Sequence, residues 1–136
     1  MTLLSLTTLD HVTPAVARPA YDPRGVGIGI VHLGIGAFHR AHQAIYTDDS
    51  LAQQGGAWGI CGVSLRSPDV RDRMTPQDGL YTAVEKSPAG VRRRIIGSVR
   101  EVLFLSPERK RVDARLADRA TQIGRASCRE RVLTDV

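Results

Sequence analysis

The length and composition of this 136-residue chain predict one globular domain with a single buried core. Hydrophobic residues make up 42% of the sequence and charged residues 24%, values that exclude disordered, collagen-like and coiled-coil classes. No apolar run approaches the roughly 20 residues of a membrane span, and the chain start lacks the basic residues of a signal peptide. We therefore expect a cytoplasmic protein with no membrane partner.

The net charge of +5 raises nucleic acid as a candidate partner, but the distribution of the charge argues against it. Basic residues cluster at 92–94 and at 109–111, and only 4% of residues are aromatic, so no basic run is interleaved with stacking side chains. We expect solvated basic faces and no nucleic-acid partner. The two cysteines, Cys61 and Cys128, match neither a metal-ligand spacing nor a disulfide framework, which favours a reducing compartment.

The first half of the chain predicts an arm, a strand and a helix. Residues 1–25 have no clear period and read as an arm laid over the domain. Residues 27–33 form a short apolar run closed by glycine, which is typical of a buried parallel strand. A helical period then begins at Ala37 and ends at Gly55. Its predicted apolar face carries Phe38, Ala41, Ile45 and Ala52, and its polar face carries Asp48 and Asp49.

The second half continues the alternation of strands and helices. A second apolar run at 58–65 completes a strand–helix–strand unit, which is the building block of an α/β sheet. The other predicted elements are a short helix at 69–74, a hairpin with strands at 80–84 and 92–96, a strand at 99–105, and a helix at 107–116 capped by Ser106.

The last segment breaks this pattern. Residues 123–132 read Ile-Gly-Arg-Ala-Ser-Cys-Arg-Glu-Arg-Val, where an α/β fold should return a buried strand, and each unpartnered buried charge would cost several kcal/mol. The codons atc-gga-aga-gcg-tcg-tgt-agg-gaa-aga-gtg would encode this decapeptide, and that DNA resembles a common sequencing-library adapter. We therefore expect residues 26–122 to form the domain and residues 123–136 to be a non-native tail.

The chemistry-bearing motif is the Gly-x-Gly turn at residues 34–36, between the predicted strand and helix. Its first glycine permits a tight turn and its second lets the backbone approach a pyrophosphate, which the free amides and dipole of the helix start favour. The third position of the usual fingerprint is a histidine, so the match is incomplete. A glycine turn that merely packs a helix on a sheet is the alternative. The predicted cofactor-binding residues of this stretch are Gly34, Ile35, Gly36, Ala37, Phe38, His39 and Arg40.

Two charges after the second predicted strand bear on the choice of cofactor. Asp69 accepting the ribose hydroxyls would favour NAD, whereas Arg66 neutralising a 2′-phosphate would favour NADP. Solvated turn charges are the alternative for both. His39 and His42 have a metal-like spacing but no third ligand nearby, so we predict packing or capping and no metal site. No nucleophile–base pair is visible, and we predict no catalytic residue.

Several motifs, in order, resemble the long-chain polyol dehydrogenases, a family that includes mannitol dehydrogenase and fructuronate reductase. The resemblance covers residues 19–121. Its opening motif is Gly-Ile-Gly-Ala-Phe-His-Arg-Ala-His-Gln at 34–43. Later similar stretches lie at 58–63 (Trp-Gly-Ile-Cys-Gly-Val), 65–66 (Leu-Arg), 77–81 (Gln-Asp-Gly-Leu-Tyr), 96–98 (Ile-Gly-Ser) and 114–118 (Ala-Arg-Leu-Ala-Asp).

The resemblance implies an α/β, Rossmann-type dinucleotide-binding domain followed by a mostly helical substrate domain. It implies hydride transfer, without zinc, between NAD(P) and a secondary alcohol. The reaction would interconvert a polyol or aldonate and its ketose or keto-acid. The family's general base is the lysine of a Lys-x4-Asn-x2-His motif in the second domain, and no such motif occurs here. The resemblance places Asp69 at the ribose and so favours NAD, although Pro68, where an acidic residue often stands, leaves NADP open.

From these observations we expect an incomplete Rossmann domain, the amino-terminal part of an oxidoreductase, inactive alone. Its small-molecule substrate would be a polyol or keto-acid. The alternative is a non-catalytic nucleotide-binding module, which the missing lysine motif would permit, and the arginine-rich edge keeps a weaker nucleic-acid hypothesis open.

Overall fold

The structure is a computed structural model and describes residues 2–125, which form two β-sheets and four α-helices. Short 3-10 turns occur at Leu9–His11, Pro23–Gly25 and Thr75–Gln77. In chain order the elements are β1 (Val16–Ala17), β2 (Ile28–Leu33), α1 (Ala37–Ala41), α2 (Gln43–Gln54), β3 (Gly59–Ser64), α3 (Asp69–Met74), β4 (Tyr81–Ser87), β5 (Gly90–Ile96), β6 (Val99–Phe104), α4 (Arg109–Ala117) and β7 (Gln122–Arg125).

The larger sheet contains four parallel strands in the order β6-β3-β2-β7. The first of its strands in the chain, β2, therefore lies inside the sheet, and the later strands add on both sides of it. This is the order of the first four strands of a Rossmann sheet, whose direction of growth reverses beside the first strand. All six residues of β3 are buried, as expected for a strand covered on both faces.

Apolar side chains from alternate residues of the strands form two cores, one on each face of this sheet. On one face, Val112 of α4 packs with Cys61 and Val63 of β3. On the other face, Ala44 of α2 and Ile60 of β3 share a cluster with Met74 of α3. The predicted strands at 27–33, 58–65 and 99–105 and the helix at 69–74 are therefore confirmed.

The predicted helix from residue 37 is two helices, because His42 leaves the helical conformation with φ −126° and ψ −82°. The prediction that Asp48 lies on the polar face was wrong. The buried face of α2 carries Ala44, Asp48 and Leu51, and Asp48 is 3% exposed. A buried carboxylate gives no signal in a hydrophobic period, and only its partners in the fold explain it.

The smaller sheet has the order β1-β5-β4 and consists of the predicted hairpin joined by a strand of the amino-terminal segment. The hairpin turn ends at Gly90, whose φ of 131° favours glycine. Val16 pairs with Arg93 in the parallel β1–β5 ladder, and Leu9 packs with Leu80 and Ile95. The amino-terminal segment is thus fixed to the hairpin by backbone hydrogen bonds and apolar contacts.

Strand β7 crosses the boundary predicted after Gln122. It pairs in parallel with β2, joining Gln122 to Ile30 and Ile123 to Val31. The backbone of residues 122–125 thus completes the sheet, although Ile123 is 62% exposed. The rest of the predicted tail, including Cys128, lies outside the described residues.

None of the helices in residues 2–125 has the length and apolar character needed to cross a membrane.

Candidate dinucleotide-binding site

The carboxyl ends of the parallel strands bring several loops to one edge of the larger sheet. The Gly34 N–H, directly after β2, donates to the Val63 carbonyl of β3 at 2.8 Å. The Leu105 N–H, directly after β6, donates to the Ser64 carbonyl at 2.9 Å. The turn at 34–36 and the loop at 65–68 therefore leave neighbouring strands side by side. Ligands of open α/β sheets bind at such an edge, where the strand order reverses.

Gly34 makes the turn that lets the chain leave β2. Its φ of 104° lies in the left-handed region, which side chains disfavour and glycine tolerates. The His32 ring accompanies this turn, with Nδ1 2.6 Å from the Gly34 carbonyl oxygen. The first glycine of the predicted motif is therefore required by the backbone itself.

Ile35 points into the protein rather than toward a ligand. It is 2% exposed and belongs to the core beside Ile60. A Cβ added at Gly62 of β3 would lie 2.5 Å from Ile35 Cδ1. The Ile35 side chain therefore fits only because Gly62 has no side chain. Ile35 thus anchors the turn to the sheet, and its side chain is unavailable to a ligand.

Gly36 has the opposite environment. It is exposed at the N-cap of α1, and an added Cβ would find no atom within 4 Å. Its φ of −75° is accessible to any residue, so the fold itself does not require glycine there. The first N–H groups of a helix lack intrahelical acceptors, and Ala37 opens α1 at this point. Open space beside free amides fits the pyrophosphate of a dinucleotide.

His39 stands where the third fingerprint glycine is expected, and it is 1% exposed. Its ring stacks on His32 with a centroid distance of 3.7 Å. Burial lowers the pKa of His39 to about 3, so the ring is neutral near pH 7. A pair of rings replaces the glycine contact between helix and strand.

Phe38 and Arg40 flank this buried ring. Phe38 is 37% exposed and stacks on His42 at a centroid distance of 4.5 Å. The Tyr81 hydroxyl donates to the Arg40 carbonyl, which ties α1 to β4. Arg40 Nε is buried without a partner among the described residues, and burial lowers the pKa of Arg40. For His42 we predicted packing or capping. Its Nδ1 lies 2.9 Å from the Phe38 carbonyl oxygen.

Arg66 and Asp69 are both exposed in the region that follows β3. Asp69 is the first residue of α3, and its N–H donates to the Ser67 hydroxyl at 3.2 Å. Because β3 ends beside the Gly34 turn, both charges follow a strand that reaches the edge where the glycine motif lies.

A second cluster of charges lies between β6 and α4. Arg115 bonds Glu101 at 2.8 Å, and the hydrogen bond and charge of Arg115 hold the pKa of Glu101 below its usual value against the effect of burial. Burial and the neighbouring Glu101 raise the pKa of the Cys61 thiol to about 12, which suppresses the nucleophilic thiolate. A cavity of about 240 Å³ adjoins this cluster; its lining includes Glu101, Arg111 and Arg115. Within residues 2–125 there is no group of three metal-ligating side chains.

Sequence reasoning did not single out His32 or Gly62. The available signal for His32 was the position of a histidine inside an apolar strand, two residues before the turn. Gly62 lies within a predicted strand, and glycine inside a strand often marks the close approach of another group.

The parallel sheet and the glycine turn after its first strand define a Rossmann-type dinucleotide-binding domain. The profile of the family described as "Mannitol dehydrogenase Rossmann domain" matches residues 28–127, and the chain belongs to this family.

Relatives of known structure and sequence agree with this assignment. The chain is 43% identical over 112 residues to a mannitol 2-dehydrogenase of Pyricularia oryzae, covering 80% of this chain and 22% of the relative. It matches the Pseudomonas fluorescens mannitol 2-dehydrogenase, solved with NAD and D-mannitol, with a TM-score of 0.84 and 35% identity over 92% of this chain and 26% of that one. A D-sorbitol dehydrogenase solved without substrate matches with a TM-score of 0.83 and 31% identity, covering 92% and 27%. The chain therefore spans about a quarter of these relatives or less.

Proposed function

We propose that this chain is the cofactor-binding part of an NAD-dependent oxidoreductase that interconverts a polyol or aldonate and its ketose or keto-acid, of the mannitol 2-dehydrogenase or fructuronate reductase type. The observation that carries the proposal is the open turn at Gly36, beside free helix amides at the edge of a parallel sheet. The solved relative that holds NAD and D-mannitol supports the cofactor and the class of substrate.

In this proposal the chain contributes binding and orientation. The amides after Gly34 would bind the pyrophosphate, since the first turn of α1 supplies donors without acceptors. Asp69 would accept hydrogen bonds from the hydroxyls of the adenosine ribose and repel a 2′-phosphate, which favours NAD over NADP.

Arg66 would attract the same phosphate, so replacing Asp69 by alanine should lower the ratio of NAD to NADP affinity. An unchanged ratio would make Asp69 a solvated turn charge.

The proton transfer would require residues that this sequence does not contain. When bound, the nicotinamide supplies or accepts the hydride. The 136 residues include no asparagine and hence no Lys-x4-Asn-x2-His motif, which the family resemblance assigns to the general base. We accordingly expect the chain alone to bind a dinucleotide without oxidising mannitol or reducing fructuronate.

The test compares two glycines whose replacement the fold tolerates equally. A Cβ would meet no atom within 4 Å at either Gly36 or Gly25, and neither has a positive φ. Calorimetric titration with NAD+ should show Gly36→Ala binding about tenfold more weakly or worse, because the methyl group occupies the space of the pyrophosphate. Gly25→Ala should bind like the wild type. Equal affinity of all three chains, or no saturable binding by the wild type, would overturn the proposal.

A further inference from the structure

His32 is an imidazole in the middle of an apolar strand, where a polar group is costly unless it is hydrogen-bonded. It is 1% exposed, and its neighbours Val31 and Leu33 belong to or pack against an apolar core. Its bond to the Gly34 carbonyl oxygen is 2.6 Å long. A carbonyl only accepts, so the ring carries its proton on Nδ1 and donates.

This hydrogen bond acts on one peptide plane, that between Gly34 and Ile35. In a trans peptide the C=O and the following N–H point in opposite directions. The structure contains no cis peptide bond among its described residues. The His32 ring therefore draws the Gly34 oxygen toward β2 and turns the Ile35 N–H away from β2.

The ring that donates this bond is itself held on two further sides. His39 of α1 stacks on it at 3.7 Å. A Cβ at Gly124 of β7 would lie 2.9 Å from His32 Cδ2, so the neighbouring strand packs closely against the ring. The order of the sheet reverses between β2 and β7. The His32 ring therefore lies next to the edge of the sheet at which we predict the cofactor site.

We propose that His32 is a positioning residue that, through the Gly34 carbonyl, orients the Ile35 N–H toward the pyrophosphate of the dinucleotide. The inference rests on the proposed function and names the part of the chain that preorganises its anion site. The other role of such a residue would be to fill space between the helix and the strand. The two roles predict different orders of tolerance to substitution.

The experiment uses three variants of the whole chain. His32→Asn keeps an amide donor close to the position of Nδ1, His32→Gln moves the amide one bond outward, and His32→Leu fills the site without a donor. Dissociation constants are measured by calorimetry for NAD+ and for adenosine, which lacks the pyrophosphate. Thermal melts establish the folded fraction of each variant.

A positioning role predicts that His32→Asn binds NAD+ within about threefold of the wild type, whereas His32→Gln and His32→Leu bind about five- to tenfold more weakly, the effect of one hydrogen bond. Adenosine affinity should stay the same in all four chains. A space-filling role predicts the reverse, with the smallest side chain, asparagine, weakest. Equal NAD+ affinity of all folded variants would overturn the inference alone, whereas a wild type that binds no NAD+ would overturn the proposed function as well. If His32→Leu does not fold, the comparison of asparagine with glutamine still decides.

Discussion

At the scale of single residues, the glycine motif divides its work between backbone and side chains. Gly34 needs its conformation, Gly36 leaves space, and Ile35 between them enters the core against Gly62. His39 takes the third position as a neutral buried ring. The same few residues therefore anchor the turn in the core and leave open space beside Gly36.

The neutral state of His39 makes the stability of the fold depend on pH. Its pKa is about 3 in the folded chain and about 6.5 in an unfolded one. Between these values the unfolded chain binds a proton that the folded chain does not, so the free energy of unfolding falls as the pH falls below about 6.5. Near pH 5 the loss from this residue should be about 2 kcal/mol relative to neutral pH.

Urea unfolding near neutral pH and near pH 5 measures this loss. His39→Phe should remove most of it, whereas replacing the exposed His11 by glutamine should leave it unchanged. A wild-type loss that persists in His39→Phe would show that other groups cause the acid sensitivity.

At the scale of elements, one buried carboxylate connects the amino-terminal segment, a helix and the hairpin. Asp48 of α2 accepts hydrogen bonds from the Tyr21 hydroxyl, from Arg94 of β5 at 2.6 Å and from the Gly97 N–H at 2.9 Å. Burial and the bond to Asp48 raise the pKa of Tyr21, which keeps the phenol protonated as a donor. Arg94 also reaches the more exposed Asp49 at 2.7 Å.

Two isosteric substitutions separate the buried contact from the exposed one. In Asp48→Asn the amide must face a donor, because donors approach both carboxylate oxygens, and Arg94 loses the charge beside it. We expect a loss of about 2 kcal/mol in the free energy of unfolding. Asp49→Asn should cost less than about 1 kcal/mol, since that pair is solvated. Chemical denaturation of both variants measures the difference, and equal losses would contradict the role of Asp48.

The sequence predicts elements whose signal is local. The apolar run of β2, the hairpin and α3 follow from patterns within a few residues, and the turn at Gly34 follows from its glycines. Asp48 was misplaced because its partners are far along the chain, at Tyr21, Arg94 and Gly97. The contact of Ile35 with Gly62 likewise joins the turn after β2 to the interior of the neighbouring strand β3, which no single period reveals.

At the scale of the whole molecule, the described residues form a sheet that stops one strand beyond the point where its order reverses. The chain spans about a fifth to a quarter of the length of its relatives, so the substrate side of the proposed reaction rests on them. We still predict that residues 123–136 are non-native, since the pairing of β7 with β2 is made by backbone groups and accepts many sequences.

DNA from the source organism tests that prediction. Amplification across the codons for Thr121 and Leu133 should yield a sequence without the ten codons of residues 123–132. Recovering the same codons from native DNA would make the segment part of the protein.

Amide chemical shifts test most directly whether the turn at 34–36 and the loop after β3 bind the dinucleotide. Titrating the ¹⁵N-labelled chain with NAD+ should produce saturable shifts at Ile35, Gly36 and Ala37, with further shifts at Arg66 and Asp69. These amides lie at the edge where the parallel strands end. Shifts confined to the cavity lined by Glu101 and Arg115, or no saturable shift at all, would contradict the account.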